Sequence, residues 1–174
     1  LGLLLAEKYI ELFQKKKDSN GNAMSCCGGV SVSGSRYPFS RSYEIAEQLC
    51  RSAKIARKEK KDPGSWIDFH VANSGITGPL SEIRERHYTV GKRSLLQRPY
   101  RIGDGDDSFS FTRLTRGAAE LKKTFPNSKI KELRKVLSLG EDSHRRYLQE
   151  MKYRNRRLPS TVGNDLKECL FTAK

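Results

Sequence analysis

The sequence predicts an α+β fold, in which a helix–strand–helix–strand segment is followed by an α-helical C-terminal region. Apolar residues recur at helical spacing in residues 3–17 and 40–60, as they do on one face of an amphipathic helix. Apolar and polar residues alternate in residues 65–72, which is typical of a strand. From residue 109 onward the helical pattern returns. We expect the first two helices to cover one face of a sheet.

The first helix is predicted over residues 3–17, and a turn-forming run of Asp, Ser, Asn and Gly follows it. Four of its side chains form one stripe that should face the core, namely Ala6, Tyr9, Ile10 and Phe13. Residues 24–33 predict a strand. Its small residues, Gly28 and Gly29 among them, indicate close packing against a neighbouring element, with close approach of a ligand as the alternative.

The second helix is predicted to begin at Ser40, whose hydroxyl can cap it, and to end near Lys60, before an Asp-Pro-Gly stop. Its core-facing side chains are predicted to be Ile45, Leu49, Ser52, Ala53 and Ala56. After the strand at 65–72, the shorter segments are predicted to be a helix or turn at 79–86 and extended chain at 88–90 and 94–102. The predicted organisation is therefore a mixed helix–strand region at 1–102, an acidic linker at 103–108 and a helical region at 109–174.

The charge of the chain favours anionic partners. It has 34 Lys and Arg residues against 20 Asp and Glu residues, for a net charge of +14. RNA, nucleotides or an acidic protein surface would suit this charge, although solvated basic helices explain it equally well. No run is long and apolar enough for a membrane helix, so we expect no membrane partner and a cytoplasmic location. The four cysteines lack metal-binding spacing and are expected to be reduced and mostly buried.

A helix and a strand near the middle of the chain carry several motifs in order. Residues 43–54 read YEIAEQLCRSAK and, after a Pro-Gly turn, residues 65–70 read SWIDFH. They resemble the second palm domain of the large subunit of type III CRISPR effector complexes. In that family an Ala-Glu-x-Leu-x-x-x-Ala-Lys helix leads into a Ser-x-Ile-Asp-Phe-His strand. The CGGVSVS strand, the YPF loop and the later SGITG and RPYR segments also look like features of that family.

The resemblance implies a partial ferredoxin-like palm, of the kind shared with GGDEF-type cyclases, in an effector subunit or a related stand-alone antiviral defence protein. Such palms bind nucleoside triphosphates and hold two divalent cations on a Gly-Gly-Asp-Asp hairpin. That hairpin would precede Leu1, so we expect this chain to be an inactive C-terminal fragment with no metal or cofactor of its own. The intact parent would use Mg²⁺ or Mn²⁺ to make cyclic oligoadenylate from ATP. The acidic run at 103–107 follows the motif strand, on the wrong side for such a hairpin, and is interpreted as a linker, with weak cation binding as the alternative.

Lys54 and Lys58 are the candidate phosphate ligands. In the cyclase relatives, a Lys of the Ala-Lys element and a basic residue four positions later contact the triphosphate. Four-residue spacing also places both ammonium groups on one helix face. The alternative is a solvated basic face. Ser31 and Ser33 are candidates for a base or ribose pocket in the same nucleotide site, or are simply the exposed side of a strand.

The second hypothesis is a non-catalytic module with a degenerate palm. In this interpretation the C-terminal helices bind RNA or a subunit of the effector complex through four arginines, Arg145, Arg146, Arg156 and Arg157. Asp68 and His70 share one strand face and would suit an acid–base pair. No nucleophile or orienting group accompanies them, so a structural role is favoured.

Overall fold

The computed structural model describes residues 2–72, 78–91, 93–103, 107–159 and 162. The chain divides into two compact units, the first formed by Leu1–Ile83 with Gln97–Thr112 and the second by Arg84–Leu96 with Arg113–Lys174. In chain order the helices and strands are α1 (Gly2–Gln14), β1 (Cys27–Ser33), α2 (Phe39–Glu59), β2 (Ser65–Ala72), α3 (Leu80–Tyr88), β3 (Thr89–Val90), β4 (Arg93–Ser94), β5 (Tyr100–Ile102), α4 (Phe111–Thr124), α5 (Asn127–Ser138) and α6 (Glu141–Tyr153).

The first unit is built on a three-stranded mixed sheet in the order β1–β2–β5. β1 and β2 run parallel, from Cys27 opposite Trp66 to Ser33 opposite Ala72, and β5 pairs antiparallel with the first residues of β2. Parallel neighbours need a crossover connection, which α2 provides. The α+β class and the order helix–strand–helix–strand are confirmed, and β2 has the predicted bounds.

α2 buries most of the apolar stripe that the sequence predicts. Ile45, Leu49 and Ala53 are at most 1% exposed, since their spacing of four places them on one helix face. Ser52 and Ala56, which were predicted on the same face, are half-buried. This stripe fixes the opposite face of α2, which carries Lys54 and Lys58, toward solvent.

The predicted cap of α2 at Ser40 is wrong. The helix begins at Phe39 with Pro38 in the N-cap position, and no side chain caps its first turn. The backbone of Pro38 is extended, with φ −59° and ψ 128°, so Pro38 itself is not helical and the helix begins at the next residue. Proline has a restricted φ and no N–H, so the N-cap residue itself adds no unpaired donor to the uncapped first turn.

The beginning of the chain differs from its predicted pattern in three respects. α1 ends at Gln14 rather than at residue 17, and β1 begins at Cys27 rather than at residue 24. Tyr9, predicted to face the core, is 66% exposed, whereas its neighbour Ile10 is buried. The stripe predicted from helical spacing is wider than the buried face of α1, because the sheet covers only the part of the stripe that contains Ile10.

α1 and α2 lie on opposite faces of the sheet, so the expectation that both would cover one face is wrong. Successive residues of a strand point to opposite faces. A Cβ added at Gly28 would lie 3.3 Å from Ile10 Cδ1 in α1, whereas one added at Gly29 would lie 2.5 Å from the backbone nitrogen of Cys50 in α2. The hydrophobic pattern of a helix shows that one side is buried, but it does not show which face of a sheet receives that side.

The second unit has a helical core of its own. Its buried side chains are Phe125, Leu133, Tyr147 and Met151, with further apolar residues of α4, α5 and α6 packed around them. The Tyr147 hydroxyl donates a hydrogen bond of 2.8 Å to the Lys129 carbonyl oxygen. Pro126 stands at the N-cap of α5, whose first turn has no side-chain cap, and Gly140 stands at the N-cap of α6.

The cysteines and the hydropathy of the helices agree with much of the sequence analysis. Cys26, Cys27 and Cys50 are free thiols, half-buried rather than buried, and Cys169 lies outside the described residues. Burial raises the pKa of the Cys26 thiol. Among the helices of the described residues, none has the length and apolar character that a membrane crossing requires.

The two neighbouring glycines of β1 give a matched test of this packing. Gly29→Ala should lower the free energy of unfolding by about 3 kcal/mol or more, because its Cβ would collide with backbone atoms of Ala46 and Cys50, which cannot rotate away. Gly28→Ala should cost less than about 1 kcal/mol, because its neighbour is the mobile end of the Ile10 side chain. Urea unfolding followed by the fluorescence of Trp66, the sole tryptophan, measures both. Equal losses would contradict the close approach of α2 to β1.

Candidate anion-binding site

The C-terminal end of α2 and the turn after it form an open basic depression in the first unit. Its volume is about 420 Å³, and its lining consists of four cationic side chains, one carboxylate and one proline: Lys54, Arg57, Lys58, Lys61, Asp62 and Pro63. We call this surface the basic groove. The structure therefore brings Lys54 and Lys58 together, as their four-residue spacing predicts. Arg57 and Lys61 join them at the same helical spacing, a signal that the sequence analysis treated only as a solvated face.

The end of α2 has an unusual residue in its capping turn. Lys60 is the C-cap, and Lys61 follows with a φ of +50°, in the left-handed region that glycine normally occupies. The Lys61 N–H donates to the Lys58 carbonyl oxygen at 3.1 Å, and the Asp62 N–H donates to the Arg57 carbonyl oxygen at 3.1 Å. These two bonds form a Schellman motif. A left-handed backbone costs an L-residue about 1–2 kcal/mol, so the turn carries a lysine side chain at an energetic disadvantage.

Asp62 stabilises the turn that ends the basic groove. Its Oδ1 accepts a hydrogen bond of 2.7 Å from the Gly64 N–H, and its Oδ2 lies 3.8 Å from Arg101 Nε. Arg101 also contacts Asp107, with 2.8 Å between Nη2 and Oδ2. Arg57 Nε donates to the Asp62 carbonyl oxygen at 3.3 Å. One carboxylate against four cations leaves the lining with a net charge of +3.

The electrostatic attraction of the basic groove comes from its side chains. A helix C-terminus carries a partial negative charge, which opposes an anion and stabilises nearby cations. Arg57 and Lys58 occupy the last turn of α2, where they have this stabilising effect on the helix. Like charges at helical spacing also repel one another by a few tenths of a kcal/mol per pair. A bound polyanion would remove that repulsion, which makes phosphate oxygens a suitable class of ligand.

Ser31 and Ser33 lie near the other end of α2. Ser42 Oγ donates a 3.0 Å hydrogen bond to Ser31 Oγ, and the Ser33 and Ser42 hydroxyl oxygens are 3.3 Å apart. Ser42 precedes Lys54 by twelve residues, which is about 18 Å along the helix axis. The structure thus does not bring the two serines to the phosphate candidates, and it places them against α2.

The other acidic candidates do not form a site with the basic groove. Asp68 and His70 are buried, and Asp68 Oδ1 accepts a 2.8 Å hydrogen bond from the Phe69 N–H. Of the acidic run, residues 104–106 lie outside the described residues, and Asp107 binds Arg101 and the Phe109 N–H. Among the described residues, no group of three or more His, Cys, Asp or Glu side chains is arranged to hold a metal ion.

A second basic depression, of about 440 Å³, lies in the second unit at the start of α5. Its lining residues are Pro126, Ser128, Lys129, Arg154 and Arg156. Of the four arginines predicted to bind RNA or a partner, Arg156 alone is in this lining. Arg145 forms an ion pair with Glu141 at 2.9 Å, and Arg146 and Arg157 are exposed. Lys129 and Arg154 do not stand out in the sequence as partners, because they lie 25 residues apart and share no local pattern.

Two titratable side chains in the core of the second unit have shifted pKa values. Burial lowers the pKa of His144, with Glu141 opposing the shift to a smaller extent, so the imidazole is mainly neutral at pH 7. Burial is also the main cause of the raised pKa of the Tyr147 hydroxyl. Both groups belong to the packed core rather than to either basic depression.

Comparison with models of protein families and with curated proteins gives no match to this chain.

Lys61 provides a test of the strained capping turn. Lys61→Gly should be more stable than Lys61→Ala by about 1 kcal/mol, because both remove the ammonium group but only glycine relieves the left-handed backbone. Urea unfolding monitored by Trp66 fluorescence measures the difference. If the two variants have the same midpoint and slope, the left-handed conformation of residue 61 is contradicted.

Proposed function

We propose that the basic groove binds the phosphate chain of nucleotides, and that the chain is a nucleotide-binding palm fragment. The observation that carries this proposal is the convergence of Lys54, Arg57, Lys58 and Lys61 in one open depression. The retention of a lysine at a left-handed position supports it, because backbone strain is often found where a side chain has a functional use. The resemblance of the motif helix and strand to the CRISPR palm gives the proposal its context.

In this proposal the chain binds ATP without converting it. Its parent, an antiviral defence protein of the cytoplasm, would carry the acidic hairpin, hold Mg²⁺ or Mn²⁺ there and make cyclic oligoadenylate. The contribution of the described residues would be to neutralise and position phosphate oxygens. Positioning of this kind is a large part of catalysis in phosphoryl transfer.

Removing the two motif lysines tests the binding. Lys54→Ala/Lys58→Ala should weaken ATP binding about tenfold, which corresponds to about 1.4 kcal/mol for two exposed charge–phosphate contacts. The control is Lys122→Ala/Lys123→Ala, which removes the same charge from an exposed stretch of α4. Equilibrium dialysis with labelled ATP gives the affinities, and chromatography of the recovered nucleotide shows whether it is unchanged. If both double variants weaken ATP binding equally, the effect comes from the net charge of the chain alone, and the proposed site is contradicted.

A second candidate function is RNA binding by the second unit, favoured by the depression that Lys129, Arg154 and Arg156 line. An effector-complex subunit with an acidic surface would suit the same residues. Both alternatives are non-catalytic and independent of the basic groove.

The geometry of the second depression predicts which arginines matter for RNA. Arg154→Gln/Arg156→Gln should weaken RNA binding by about tenfold and reduce its salt dependence by about two phosphate contacts. Arg145→Gln/Arg146→Gln, of equal charge change on the exposed part of α6, should have a smaller effect. Filter binding at several salt concentrations measures both. A larger effect of the second pair, or binding that salt does not weaken, would count against this depression.

A further inference from the structure

We infer that the basic groove recognises a linear polyphosphate chain itself and is indifferent to the nucleoside attached to it. This inference rests on the proposed function and specifies its ligand class. The ligands would be compounds with three or more linked phosphates, whether or not a base is present.

The lining of the basic groove has charge but little that could read a base. Bases are recognised in proteins by stacking on aromatic or guanidinium planes and by hydrogen bonds to their polar edges. Among the described residues that line the groove, none is aromatic and none has an amide or hydroxyl side chain. Arg57, the one guanidinium, already donates to the Asp62 carbonyl oxygen. The groove therefore offers groups that can bind phosphate but no pocket that could recognise a base.

The two other features that would suit a base or ribose are occupied or distant. Phe109 has the Lys60 Nζ 3.7 Å from its ring centroid, so that face of the ring is covered by a cation. Ser31 and Ser33 share hydrogen bonds with Ser42, about 18 Å from Lys54 along α2. Neither feature lines the basic groove.

The arrangement of charge favours a chain of phosphates over a single one. Lys54 and Lys58 are separated by about 6 Å along the axis of α2, and Lys61 extends the row of cations past the end of the helix. A single phosphate carries a charge of about −1.5 to −2 and would contact part of this stripe, whereas linked phosphates would contact all of it. Affinity should therefore rise with the number of phosphates.

Of the described residues that line the basic groove, Asp62 alone opposes such a ligand. Asp62→Asn keeps an oxygen that can accept from the Gly64 N–H, and it removes the negative charge. Because the groove is open to solvent, loss of the repulsion between the Asp62 carboxylate and the phosphates should tighten binding by only about threefold to fivefold. The increase should be similar for every polyphosphate if none of them is held by its base.

The experiment is a calorimetric titration of the full chain, without divalent cations, with ATP, GTP, CTP, UTP, inorganic tripolyphosphate, AMP and adenosine. We expect the four triphosphates and tripolyphosphate to bind within about threefold of one another, AMP at least tenfold more weakly, and adenosine not measurably. Asp62→Asn should tighten the five polyphosphates alike, and Lys54→Ala/Lys58→Ala should weaken them alike.

The possible failures are distinguishable. ATP binding more than tenfold tighter than tripolyphosphate or the other triphosphates would overturn the inference and leave the proposed function intact. If none of the phosphate compounds binds, both the inference and the proposed function are wrong. AMP binding as tightly as ATP would likewise overturn the requirement for a phosphate chain.

Discussion

The close approach of α2 to β1 at Gly29 determines the arrangement of the first unit. A side chain at this position would overlap the α2 backbone, so the helix can reach the strand only because glycine has no Cβ. The contact lies opposite the middle of α2, and Leu49, whose Cβ would be 2.9 Å from the added atom, is fully buried there. With that face fixed against the sheet, the remaining face is directed to solvent. The position of Lys54 and Lys58 is therefore a consequence of packing several residues away.

The end of α2 shows a competition between stability and charge. A glycine at the left-handed residue would satisfy the same two hydrogen bonds without strain. Lysine at this position adds a fourth cation to the basic groove, extending the stripe of positive charge beyond the last helical residue. The cost of about 1–2 kcal/mol is small for a stable fold but large for a surface residue with no role. This comparison adds to the convergence of four cations as a reason to interpret the groove as more than a solvated helix face.

The sequence predicts the parts of this structure that depend on local periodicity. The strand Ser65–Ala72 and the α2 stripe at Ile45, Leu49 and Ala53 are predicted because burial repeats with the period of the element. The proximity of Lys54 and Lys58 is also predicted, because residues four apart lie on the same face of a helix. Two features do not follow from period: the opposite placement of α1 and α2, and the left-handed conformation of Lys61. Both depend on tertiary contacts or on a turn that violates the usual preference for glycine.

The second depression could not be predicted for a different reason. Lys129 lies in the first turn of α5, and Arg154 and Arg156 follow the end of α6, so their proximity depends on how the two helices pack around Phe125, Leu133 and Met151. Counting basic residues instead selected Arg145 and Arg146, because these lie together in the sequence. Density of charge along the chain and density of charge in space agree only where one short stretch of chain supplies all of the residues, as the end of α2 and its capping turn do.

A phosphate site at a helix C-terminus has a physical consequence for its ligands. At a helix N-terminus, backbone N–H groups bind the anion at fixed positions and the dipole adds to the attraction. At the end of α2 the dipole opposes the anion, and the attraction comes from long, exposed side chains that lose conformational entropy on binding. Such a site binds through the number of charges rather than through shape. If the basic groove binds nucleotides as proposed, any group that selects adenine must therefore lie outside it, and the groove would supply the part of the binding energy that all nucleoside triphosphates share.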